Sequence, residues 1–125
     1  MAKIFQRMFL SKNKIRILDM IENNADKITY DYYEHSYFPY HEFTIKTPTS
    51  VLTSTSTRDR YLFSRTYISQ YNFAETLPNG TVHEESEEFT PFANRVHSAM
   101  FRAFIKAKSI EAIHKKQEDF LKKQR

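Results

Sequence analysis

The five histidines, at positions 35, 41, 83, 97 and 114, are the side chains here that most readily serve acid–base or metal chemistry. Their spacing forms no metal motif. His97 and His114 are 17 residues apart, about 100° around a helix, so they cannot share one site on it. His83-Glu84-Glu85 would hold a divalent ion only with a ligand from elsewhere, and an ordinary surface strand is the plainer reading. A compact metal-independent ribonuclease needs a base, an acid and a cation beside a phosphate. His41, Tyr61, Arg58, Arg60 and Arg65 supply those types, but nothing in their spacing requires one site. There is no cysteine, which removes a disulfide framework, a thiolate zinc site and a cysteine nucleophile together. No catalytic residue, metal ligand or cofactor is therefore assigned.

Binding chemistry is better supplied. From Tyr30 to Phe43, nine of fourteen residues are aromatic or imidazole. Exposed rings stack on bases or fill protein interfaces. The interleaved acids Asp31, Glu34 and Glu42 repel phosphate and favour a protein partner, so Tyr33, Tyr37 and Tyr40 are expected partner contacts. Nearer the C-terminus, helical spacing puts Arg95, Arg102 and Lys106 on one basic stripe. Lys115-Lys116 and Lys122-Lys123 follow at the end. Arg95, Arg102, Lys106, Lys115 and Lys116 are the candidate polyanion contacts. Phe101 and Ile105 fall on the far side from the expected core stripe. Either an N-terminal helix carrying Ile4, Phe5, Met8 and Phe9 covers them, or a partner does.

Composition narrows the class. The 125 residues contain one glycine, Gly80, where average usage of about 7% would supply roughly nine. A chain with its single glycine in a turn has no P-loop, no dinucleotide fingerprint and no glycine-built oxyanion elbow. The net charge of +4 is unevenly spread. Residues 1–18 carry five basic and no acidic groups, and residues 95–125 carry nine basic and three acidic. Residues 19–42 and 75–94 are acidic. Two basic ends folded together would form one positive face, suited to nucleic acid, acidic protein or anionic lipid.

The elements that position these groups follow from periodicity. Ala2–Leu10 and Lys12–Asn24 have helical spacing, with Ser11 as a cap and Asn23-Asn24 as a stop. From residue 27 the period is two. Strands are expected around Ile28–Tyr33 and over His41–Thr47, with a loop between them at Glu34–Tyr40. Thr49–Thr57 is expected to be an edge strand or exposed ribbon. Arg58–Glu75 is expected to be one long or bent strand, and Thr81–Phe89 an acidic edge strand after the Pro78-Asn79-Gly80 turn. Thr90-Pro91 is an N-cap followed by a favoured first helical residue. A helix of roughly 30 residues is predicted over 91–122, its end projecting. Its core stripe is expected to hold Phe92, Val96, Ala99, Ala103, Ala107, Ile110 and Leu121.

The expected architecture is α+β: one domain, an antiparallel meander of four or five strands with an N-terminal helix and a long C-terminal helix on one face. The expected function is non-enzymatic. It is a binding or assembly protein, a subunit of a larger complex or a small phage-type inhibitor, acting through protein contacts or as a homo-oligomer. A nucleic-acid binder using the basic ends is the alternative, and the ribonuclease the third reading. No run is apolar enough to span a membrane. The acid-free stretch Met1–Leu18 has the charge of a mitochondrial presequence without its serine and arginine density. A cytoplasmic or virion-associated location is therefore expected, with mitochondrial import the alternative.

Overall fold

The computed structural model describes residues 10–34, 39–58 and 67–123. Residues 2–9 of the expected Ala2–Leu10 helix, His35, Tyr37, Arg60, Tyr61 and Arg65 lie outside them, as does the side chain of Arg58.

Helix α1 spans Lys12–Asn23. It begins because the Ser11 hydroxyl accepts the Lys14 N–H at 3.3 Å. It ends because Asn24 closes back on the carbonyl of Met20, with its backbone N–H at 3.1 Å and its side-chain amide at 2.9 Å. Asn24 has φ −127°, so it does not use the left-handed stop that asparagine permits. Ile17, Leu18 and Ile21 are buried.

Five strands follow: β1 Thr29–Tyr33, β2 Tyr40–Lys46, β3 Ser50–Arg58, β4 Tyr67–Thr76 and β5 Val82–Glu88. They form one antiparallel sheet in chain order. The β4–β5 turn uses Gly80 at φ +88°, a conformation that other residues adopt at a cost. Asn79 Oδ1 accepts the Thr81 N–H at 3.0 Å and fixes the same turn.

Two expectations about the strands are corrected. The Ser/Thr-rich segment is the central strand β3, not an edge. Its threonines stand on one face, and Ser50, Leu52, Ser54 and Ser56 are buried on the other. Small hydroxyl side chains let a helix lie close, and β-branched threonine suits a strand. Arg58–Glu75 is not one long strand either. Arg58 pairs with Tyr67 across an antiparallel ladder, so the chain reverses between them.

Helix α2, Pro91–Lys123, has 33 residues and is about 50 Å long at 1.5 Å per residue. Thr90 Oγ1 accepts the Ala93 N–H at 3.0 Å, as its N-cap position predicts. The helix crosses the sheet diagonally. Phe92 meets Tyr71 of β4 with ring centres 5.4 Å apart. Further along, Phe104 meets Phe43 of β2 at 5.7 Å and Tyr30 of β1 at 5.9 Å. The core lies between this helix, α1 and the inner sheet face: Phe43, Ile45, Leu52, Tyr71, Phe73, Phe92, Val96 and Met100.

The expected core stripe of α2 holds only over its first half. Ala99 and Ala103 pack against the core, but Ile110 and Leu121 are exposed. Every residue from Lys108 to Lys123 is exposed. The helix has outrun the sheet beyond β1, and its end projects.

The acidic edge strand β5 has a second role. Glu84 and Glu88 are exposed, whereas Glu85 and Glu87 lie on the inner face with Tyr71 and Phe73. Tyr71 donates to Glu87 at 2.7 Å. Lys14 of α1 pairs with Glu87 at 3.6 Å, Arg16 pairs with Glu75, and Asn13 bonds His83 at 3.3 Å. Part of the basic N-terminal block thus holds α1 on the acidic edge rather than forming a free positive face.

Among the described residues, no helix is long and apolar enough to cross a membrane.

Candidate functional site

The inner sheet face is built from cross-strand rows. One row runs Tyr30–Phe43–Ser54–Tyr71–Glu87 and is filled by rings. The next runs Tyr32–His41–Ser56–Ser69 and ends in two short hydroxyl side chains. Ser69 donates to Ser56 at 3.2 Å, so both are satisfied without reaching the helix above. Beside α2 lies a half-open cleft of about 780 Å³ with Ser69 in its lining.

Its sheet wall is Tyr30, His41, Phe43 and Ser69. Its helix wall is Asn94, His97, Ser98, Phe101, Arg102, Phe104 and Ile105. These recur at about three- and four-residue steps, a second face of the helix that carries the core face. That recurrence was available as a sequence signal, and it is the one that would have found His97 and Phe104. Phe43, beneath them, is 1% exposed and is core.

The polar side chains are held in place. Tyr30 and His41 Nδ1 share a hydrogen bond of 2.6 Å, and His41 stacks on Tyr32 with ring centres 4.7 Å apart. His97 Nδ1 and Ser54 Oγ share one of 3.0 Å, and the His97 ring stands edge-on to Phe43 at 5.2 Å. Burial, and secondarily the nearby charge of His41, lowers the His97 pKa to about 4. His97 is therefore neutral at pH 7.

The structure brings some expected site residues together and separates others. Phe101 and Ile105 are 49% and 46% exposed and share the cleft wall with Arg102. Ile4, Phe5, Met8 and Phe9, the expected cover, lie outside the described residues. Phe101 still touches the core, with its ring centre 6.1 Å from that of Phe43. Tyr33 and Tyr40 stack at 4.6 Å on the opposite face of the sheet. There a hydrogen bond to Glu42 raises the Tyr33 pKa. One partner of ordinary shape cannot cover both groups from one side. Arg95 and Lys106 stand on α2 away from the cleft lining, and Lys115 and Lys116 are exposed on its projecting half. Of the ribonuclease set, His41 alone has a described side chain. Among the described residues no cluster of three His, Asp or Glu could hold a metal ion.

Comparison with protein-family models, with curated proteins and with solved structures found no match.

Proposed function

We propose that this chain is a non-enzymatic binding and assembly protein that engages another protein with α2. The observation that carries this reading is the projecting half of the helix. Sixteen residues, Lys108–Lys123, are all exposed, yet Ile110, Ile113, Phe120 and Leu121 recur on one side of it. An isolated helix of this length is marginal in water, and most helical stability in proteins comes from packing an apolar face. Phe101 and Ile105 are exposed as well, on a different side of the same helix. Alongside it, β1 is an edge strand exposed along its whole length, and such an edge accepts further pairing.

Light scattering and pull-down of the purified chain test the reading. The expected result is a mass above 15.0 kDa, or a stoichiometric protein partner, lost in Ile113→Glu and Phe120→Glu. A monomer with no partner, unaltered by either substitution, would overturn it.

A nucleic-acid reading draws on the same helix, because Lys106, Lys115, Lys116, Lys122 and Lys123 are all exposed on α2. Its signature is an affinity for RNA or DNA that falls steeply with salt and is lost when these lysines are reversed to Glu.

A further inference from the structure

The cleft between β1–β2 and α2 carries an inference that rests on a different observation from the assembly reading. Its volume, about 780 Å³, lies within the roughly 300–1,000 Å³ typical of small-molecule sites. Its walls are mainly ring faces and edges. Tyr30, Phe43 and Phe104 contact one another with centres 5.1–5.9 Å apart, and Phe101 and Ile105 form the lip.

The polar lining is one-sided. The chain has 15 acidic residues, yet no Asp or Glu is among the described residues that line the cleft. The side chains able to donate are Arg102, His41, His97, Asn94 and Ser98. Arg102 makes no ion pair among the described residues, whereas Lys14, Arg16 and Lys108 each have an acidic partner. His97 is fixed through Nδ1 by Ser54, which leaves Nε2 for an occupant. The Tyr30–His41 bond similarly fixes the sheet wall before anything binds. An apolar cleft that, among the described residues, has an unpaired guanidinium and no carboxylate complements an apolar molecule carrying one negative charge.

We propose that this cleft binds a small hydrophobic carboxylate, its apolar body against Tyr30, Phe101, Phe104 and Ile105 and its carboxylate on Arg102.

Isothermal titration of the full chain with decanoate, below its micellar concentration, tests this, with decanol as the uncharged comparator. Decanoate is expected to bind with one-to-one stoichiometry and about tenfold or more tighter than decanol, the margin of one charge-assisted contact. Arg102→Gln should remove that margin and leave decanol binding unchanged. Phe101→Ala should weaken both. Arg102 and Phe101 are exposed, and a thermal melt of each variant checks that it stays folded. Equal affinity for decanoate and decanol, decanoate binding unaltered in Arg102→Gln, or no binding of either compound would each overturn the proposal.

Discussion

His97 Nδ1 lies 3.0 Å from Ser54 Oγ, so one hydrogen bond joins α2 to the central strand across 43 positions of sequence. The bond sits beside Phe43 and partly out of water, which keeps the imidazole neutral.

Stability should fall in mild acid because of that histidine. Its ordinary pKa of 6.5 is lowered to about 4 in the folded chain. Between those values the unfolded chain binds the proton and the folded chain does not. The contribution is therefore complete above pH 6.5 and is lost as pH falls towards 4. Allowing for its partial exposure, the loss is on the order of 1–2 kcal/mol. Urea midpoints measured across that window should drop in the wild type and drop less in His97→Gln. An identical pH slope in the variant would sink the assignment.

Tyr71→Phe should cost about 1–3 kcal/mol in chemical denaturation, the cost of leaving a partly buried acceptor without its donor. The Tyr71 hydroxyl donates to Glu87, and burial together with that bond raises its pKa. Glu85 Oε2 is already buried without a hydrogen-bond partner. Glu85→Gln removes a charge there and adds a donor, so it should cost less than Tyr71→Phe.

A ring packed under the first half of α2 and a ring on its projecting half should respond differently to truncation. Phe43→Ala, under the first half, should destabilise by about 3–5 kcal/mol, because the ring is buried and leaves a cavity. Phe120→Ala, on the projecting half, should change the stability of the isolated chain by no more than about 0.5 kcal/mol. A large loss from Phe120→Ala would mean that the helix end folds back onto the core.

Phe89 has φ 60° and is 68% exposed, at the junction between β5 and α2. A bulky residue is strained in that conformation, and little burial offsets the cost. Phe89→Gly should raise the urea midpoint, by an amount equivalent to about 1 kcal/mol. A lower midpoint would show that the ring holds a contact worth more than the strain.

What the sequence determined alone was local. Ser11 and Thr90-Pro91 start their helices because the cap bond is made within three residues. Asn79-Gly80 turns the chain because the required φ belongs to that glycine. Period-two alternation marked β1 and β2, and thirty residues without Gly or Pro marked the long helix. Tertiary structure decided everything that depends on which element lies beside which. Chain-order pairing put the serines of β3 under α2, where Ser54 bonds His97. The register sent Tyr33 and Tyr40 to one face of the sheet and left Phe101, Ile105 and Arg102 on the other. Ile110 and Leu121 have the same helical phase as Phe92, yet only Phe92 is buried. Periodicity fixes the direction in which a side chain points, whereas burial needs a surface opposite it, and the sheet ends before the helix does.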